Sequence, residues 1–273
     1  MRIGMFTSGY QRSPLEHAFA DAARFGYDYV ELWGGRPHAF APDLLAGDLT
    51  GILDLIQRYQ VTVEVYTPEH NAYPYNYMIG SENQRLDAIG YLRSCLEVGQ
   101  ALGARCTTIS AGHAGYATPR VEARARLVRS LRELADHAER LDHLLVLEAL
   151  TPAESNACRS ADDLAEVLDA VDSPRLAAMC DVVPPFLQHE PITGYLDRLG
   201  NRLVHMHIVD SDGITDTHLV PGEGALPLRE LMAELADAGY TGTATIELVT
   251  NYLHEPRLYA RRAVANLRAL MRH

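Results

Sequence analysis

The sequence predicts a (β/α)8 TIM barrel, and three observations carry that prediction. Short apolar runs alternate with amphipathic stretches of helical period from one end of the chain to the other. The unit repeats roughly eight times at about thirty residues each, the count and spacing of such a barrel. The length of 273 residues is close to the roughly 250 that this fold takes. Residues 1–273 are expected to form a single domain, because no linker or low-complexity segment interrupts the pattern.

Taken in order, Arg2–Thr7 (RIGMFT) reads as a buried strand. Pro14–Phe25 follows with apolar residues at helical spacing and Gly26 as its stop. Tyr29–Trp33 (YVELW) is the next strand, followed by a helix near Ile52–Tyr59, a strand at Val61–Tyr66 and a long amphipathic helix from Glu82 to Leu102, closed by Gly103. Cys106–Ser110 and Leu144–Glu148 are the fourth and fifth strands, with helices at Arg120–Leu141 and Ala161–Ala170. Strands six to eight are Leu176–Asp181, Leu203–His207 and Thr243–Glu247; helices near Ile192–Leu199 and Leu226–Ala238 separate them, and Glu255–Arg272 closes the chain.

Composition narrows the function. Hydrophobic residues make up 47% and charged ones 22%, a globular profile with a full core. The 24 Lys+Arg against 36 Asp+Glu give a net charge of −12, which argues against a nucleic-acid partner. No apolar run approaches the roughly 18 residues that span a bilayer, so no membrane association is expected. Cys95, Cys106, Cys158 and Cys180 have no CxxC spacing, and no basic-then-apolar leader precedes Met1–Thr7, which reads as a reduced, cytoplasmic protein with core cysteines.

In such barrels chemistry collects at the C-terminal ends of the strands. The fifth to eighth strands end at Glu148, Asp181, His207 and Glu247, separated by 33, 26 and 40 residues. Each carboxylate follows an apolar run (LLVLE, LAAMCD, TATIE), where an uncompensated charge costs several kcal/mol. Each could pair separately with an arginine or cap a helix, but one divalent cation would serve all of them. Three oxygen ligands and one nitrogen favour Mn²⁺ first, with Co²⁺, Mg²⁺ or Zn²⁺ as the other candidates. Two glutamates flanking a bound oxygen substrate could exchange a carbon-bound proton, while the metal polarises a carbonyl and stabilises an ene-diolate.

This strand-end set, with the segments ELWGGRPHAFAP, YTPEHNAYPYN, ISAGHAGY, LEALTPAESN, HMHIVDSDG, THLVPGEG and ELVTNYLHEPRLYAR, resembles the sugar isomerase/epimerase barrels related to xylose isomerase, essentially from end to end. The resemblance implies that Glu148, Asp181, His207 and Glu247 hold one divalent metal and that Glu148 and Glu247 are the catalytic acid/base pair. It implies an epimerase acting at C3 of a small ketose-type sugar, fructoselysine first and a free or differently substituted ketose next. Glu154, six residues after Glu148, matches a substrate-contacting glutamate of the related keto-sugar 3-epimerases. Barrels of this kind are often homo-oligomers, and the Tyr-rich and EPRLYARR segments are candidate interface.

One departure bears on this. The related 3-epimerases carry a histidine three residues after the metal aspartate, where this chain has Pro184. That weakens assignment as a free-ketose epimerase. It weakens equally the resemblance to the endonuclease IV type of DNA-repair barrel, suggested by Asp216-Thr217-His218 before GEG, because a proline cannot supply that cluster's imidazole. A non-catalytic sugar-binding barrel is the third reading.

Further polar residues lie on the expected loops. His113 (SAGHAGY), His218, and Arg36 and His38 (GGRPHAF) are candidate substrate contacts, with structural or solvated-loop roles as the alternatives; His70 has similar standing. Asp216 is expected beside the substrate or behind the metal ligands. Tyr66, Tyr73, Tyr75 and Tyr77 suggest a water-excluding wall or, equally, a loop packed on the rim. His205 should share the face of His207 deeper in the barrel as a buried hydrogen-bonding residue. His137 and His143 are expected at the surface, and GEG at 222–224 as a tight turn needing no ligand.

Overall fold

Eight parallel strands close into a barrel in chain order: β1 (Arg2–Phe6), β2 (Tyr29–Gly34), β3 (Val63–Pro68), β4 (Cys106–Ser110), β5 (Leu144–Glu148), β6 (Leu176–Asp181), β7 (Leu203–His207) and β8 (Thr243–Ile246), with β1 pairing β8. The structure, a computed structural model, describes residues 1–70 and 74–272. Helices between the strands form the outer layer: α1 (Leu15–Phe25), α2 (Ala41–Ala46), α3 (Thr50–Tyr59), α4 (Glu82–Ala101), α5 (Arg120–Arg140), α6 (Ala161–Val171), α7 (Val183–Leu187), α8 (Thr193–Leu199), α9 (Leu228–Asp237) and α10 (Pro256–Leu270). No helix among the described residues is long and apolar enough to cross a membrane.

The expected TIM barrel is therefore the observed one, with shifts at element ends. β8 stops one residue before Glu247, and two short helices, α2 and α7, break connections that the sequence pattern left as loops. Both open with proline at their first positions, where the missing N–H has no intrahelical partner to lose, and each is too short to show an amphipathic period. Local chemistry fixes the longer helices. Ser81 caps α4 in a reciprocal capping box with Gln84, Ser160 caps α6, and Gly26 ends α1 at φ 76°, a left-handed conformation that glycine adopts without penalty.

Period-two alternation builds the interior. Outward-facing strand residues such as Val30, Leu32, Leu145, Leu147, Ala178 and Met206 pack under the helices. The opposite set, Tyr29, Val65, Cys106, Val146, Ala177 and Met179, forms a separate cluster that fills the lower barrel. β1 contributes Gly4 to this layer because a Cβ there would come within 2.1 Å of the Tyr29 ring. Two residues further along the same faces, the apolar filling gives way to Glu31, Thr67, Thr108, Glu148 and Asp181. The strand phase that buries the core thus delivers polar groups to one end.

All four cysteines are buried and free, as expected of core residues. His143 corrects an expectation. It is 3% exposed, because the chain turns inward after α5 and sets the ring 2.9 Å from Thr107 Oγ1 on β4. His137 is partly buried and 3.1 Å from Glu97.

Candidate active site and metal centre

A cavity of about 270 Å³ opens at the C-terminal ends of the strands, lined by Glu148, Glu154, Asp181, Pro184, Asp216, His218 and Glu247 on one side and by Trp33, Thr67, Glu69, His70, Thr108 and Ser110 on the other. His207 lies beneath it, 1% exposed, with Nδ1 2.9 Å from Glu247 Oε2 and 3.6 Å from Glu148 Oε1. The loop after β7 adds His218, whose Nδ1 is 3.1 Å from Glu247 Oε2 and whose Nε2 is 3.5 Å from both Asp181 Oδ2 and Asp216 Oδ1. Asp210 shapes that loop: its carboxylate accepts the backbone N–H groups of Ser211, Gly222 and Leu226, each at 2.9 Å. A Cβ on Gly224 would come within 2.4 Å of Asp210 Oδ1, so the GEG turn closes around this carboxylate and not around a ligand.

The donor set fits a divalent cation. Donor atoms of Glu148, Asp181 and His207 lie within 4.8 Å of one another, as do those of Asp181, His218 and Glu247. His207 Nδ1 is buried and makes no aligned hydrogen bond, although carboxylate oxygens face it. The electrostatics agree. Burial, reinforced by Glu247 and Asp181, drives the Glu148 carboxyl well above its usual range, while burial and Glu247 raise Asp181 to about 7 against the pull of His218. Glu247 goes the other way, to about 2, because His207 and His218 outweigh its burial. Carboxyls crowded until some must stay protonated are what a bound cation relieves. Burial opposes a charge on His207 and on His218, yet the adjoining carboxylates hold both imidazoles well above their usual range.

Of the remaining expected contacts, Glu154 lines the cavity, accepts from Thr151 Oγ1 at 2.8 Å, and is raised by burial and by Asp216. His113, Arg36 and His38 stand outside the lining. His113 Nδ1 accepts the Gly115 N–H at 2.9 Å, and its ring packs on Tyr116. Arg36 forms a two-pronged ion pair with Asp43 at 2.6 Å. His38 Nε2 meets the Ser13 carbonyl at 2.7 Å and packs edge-on to Trp33. His70 is 4% exposed and lines the cavity, accepting the Ser110 N–H at 3.1 Å; burial pushes its imidazole down to about 4. Tyr66 and Tyr77 are buried in the main core, Tyr75 packs against that core and stacks on Tyr91 at 3.9 Å, and none of the three lines the cavity; Tyr73 lies outside the described residues.

Sequence reasoning missed Glu31. This fully buried residue of β2 reaches both His205 Nε2 and His207 Nε2 at 3.0 Å, and His205 is the buried hydrogen-bonding residue expected of it. The signal was present: a charged residue inside the apolar strand YVELW must find a partner, and only inward-facing polar groups of other strands were available.

Residues 19–270 match the family described as Xylose isomerase-like TIM barrel. The chain is 51% identical to the fructoselysine 3-epimerase of Shigella flexneri over 271 residues, covering 99% of this chain and 98% of that protein. Among solved structures, D-psicose 3-epimerase from Clostridium cellulolyticum H10 with D-tagatose superposes with a TM-score of 0.82 at 19% identity over 100% of both chains. The 3-keto-D-glucoside 4-epimerase YcjR of E. coli gives 0.83 at 19% identity over 98% of this chain and 99% of that one. Matched by the family model over residues 19–270 and by a relative along nearly its whole length, the chain belongs to the xylose isomerase-like TIM barrel family.

Proposed function

We propose that this protein inverts C3 of a ketose carrying an amine-linked substituent, fructoselysine being the first choice, by proton transfer through Glu148 and Glu247. The chain is an enzyme, a carbohydrate epimerase, by its full-length kinship to fructoselysine 3-epimerase. The observation that carries the mechanism is the convergence of Glu148 and Glu247 on His207 Nδ1 at one end of the barrel, in a cavity of sugar size.

Glu148, Asp181, His207 and Glu247 would hold the cation, Mn²⁺ first among the candidates, with Co²⁺, Mg²⁺ or Zn²⁺ as the others. When bound, it supplies Lewis-acid polarisation of the sugar's oxygens, which acidifies the neighbouring C–H. One glutamate takes the C3 proton and the other returns one to the opposite face. His218 steadies Glu247 through its 3.1 Å contact, and Glu154 and Asp216 offer acceptors for substrate hydroxyls or an amine.

Charge supports an amine-bearing substrate. The described lining includes Glu69, Glu148, Glu154, Asp181, Asp216 and Glu247 but no arginine, and the chain contains no lysine, so neither a lysine base nor a Schiff base is available. A single divalent ion leaves this cavity anionic, which favours a protonated amine over a neutral sugar.

Incubation with Mn²⁺ and fructoselysine in heavy water should place deuterium at C3 and build up the C3 epimer. If metal binds and no ketose or fructosamine exchanges, the assignment is wrong. A phosphodiester hydrolase with several metals is the second reading, drawn from the grouping of Asp181, His218 and Glu247. It requires more than one ion per chain and cleavage of abasic DNA.

A further inference from the structure

Glu31 sits in the barrel interior beneath the proposed metal centre, and its two oxygens are divided between imidazoles. Oε1 faces His207 Nε2 at 3.0 Å and accepts from Thr67 Oγ1 at 2.6 Å, while Oε2 faces His205 Nε2 at 3.0 Å. A carboxylate only accepts, so each Nε2 must carry a proton. His205 Nδ1 then accepts from Thr243 Oγ1, 2.8 Å away on β8. For neutral His207, the same assignment leaves the lone pair on Nδ1. That atom is buried without an aligned hydrogen bond, 2.9 Å from Glu247 Oε2. A lone pair aimed at carboxylate oxygens is repulsive unless a proton, in the metal-free protein, or a metal cation stands between them.

We propose that Glu31 is a positioning residue: by accepting the Nε2 protons of His205 and His207 together, it commits His207 to bind a divalent cation through Nδ1 and fixes the ring against Glu148 and Asp181. The partners that hold Glu31 come from four strands. Thr67 is on β3, His205 and His207 on β7, Thr243 reaches it through His205 from β8, and Thr67 Oγ1 in turn meets Thr108 Oγ1 on β4 at 2.6 Å. Closing the barrel therefore assigns His207 Nε2 to Glu31 before any metal arrives, which leaves Nδ1 as the nitrogen that gives up its proton to the ion. The proposal rests on the metal reading above but makes a separate demand, on which nitrogen ligates and on what dictates it.

Glutamine at position 31 is the discriminating replacement, because its side chain has one acceptor oxygen and one N–H donor group. It cannot accept both Nε2 protons, so one ring must invert. His205 can do so, because Thr243 Oγ1 can accept as well as donate, which leaves His207 partly protected. Removing that hydroxyl closes the escape.

The test titrates metal-free protein with Mn²⁺, read by electron paramagnetic resonance of the free ion, and with Co²⁺, read by its visible absorption; fold is checked by circular dichroism. Wild type should bind one ion. Glu31→Gln should bind about 10-fold more weakly with an altered Co²⁺ band, and Glu31→Ala about 100-fold more weakly. Thr243→Val alone should cost less than about 3-fold, and Thr243→Val with Glu31→Gln should cost more than the product of the two single effects. A folded Glu31→Gln protein with unchanged affinity and spectrum, or a multiplicative double variant, overturns the proposal. Should Glu31→Ala fail to fold, the near-isosteric glutamine series decides alone. A wild-type protein that binds neither ion removes the metal reading itself and this proposal with it, whereas binding that is indifferent to Glu31→Gln removes only the proposal.

Discussion

His218 Nδ1 stands 3.1 Å from Glu247 Oε2, held there by a loop that closes on buried Asp210. The distance couples the residue after β8 to the loop after β7, and both imidazoles beside Glu247 stabilise its ionised form. The aligned hydrogen bond of Nδ1 goes to the Glu247 main-chain oxygen at 3.2 Å, and the carboxylate is met as an ion pair. A hydrogen bond with a charged partner contributes about 1.5–3 kcal/mol, so His218→Asn should lower kcat/KM by roughly 10- to 100-fold. Metal stoichiometry should remain one per chain. A fall in metal binding with His218→Asn would make it a ligand instead, and would favour the reading with several metals.

Glu148→Gln and Glu247→Gln should each lower C3 exchange by about 10²–10⁴-fold, the usual contribution of a positioned acid or base. Both replacements keep the side-chain shape and some capacity to ligate, so metal binding should fall less than turnover. Single-turnover exchange beside a metal titration separates the two effects. A barrel that only binds sugar would keep its sugar affinity in both variants and show no exchange in the wild type.

Trp33 Nε1 donates to Glu69 Oε2 at 2.8 Å, fixing one more carboxylate on the cavity wall. If charge selects an amine-bearing ketose, Glu69→Gln should raise KM for fructosamine-type substrates by about 3- to 10-fold while leaving KM for uncharged ketoses unchanged. The same preference should weaken as salt rises from 0.01 to 0.5 M, since screening shortens the reach of the field. Equal KM changes for charged and uncharged sugars would show that Glu69 does not read charge.

The barrel was legible because its signals are periodic: strand and helix lengths recur, and a carboxylate or imidazole ending an apolar strand stands out. Glu148, Asp181, His207 and Glu247 emerged from that reasoning, and the folded chain brings all four to one place. Loop histidines carried no such constraint. His38 and His113 satisfy nearby backbone groups and Arg36 pairs with Asp43 on α2, a helix too short to show in the pattern. Glu31 and His143 escaped for another reason. Each is explained by a partner far away in sequence, His207 for one and Thr107 for the other, and strand register rather than local spacing makes those pairs.

Acid should destabilise the fold through two buried neutral imidazoles. Burial lowers both His70 and His143 to about 4 from an unfolded value of 6.5, and both serve as neutral partners, to the Ser110 N–H and to Thr107 Oγ1. The unfolded chain gains protons at these positions below pH 6.5, while the folded rings resist until about pH 4. Stability is therefore unaffected above pH 6.5, falls across the interval between the two values, and levels off below it. The loss is at most about 3 kcal/mol per ring. Urea midpoints of metal-free protein between pH 7.5 and 4 should show this slope, and His143→Asn, which can still bond Thr107, should flatten it by about half. An unchanged slope in the His70→Asn, His143→Asn double variant would mean that the acid sensitivity lies with the carboxylates instead.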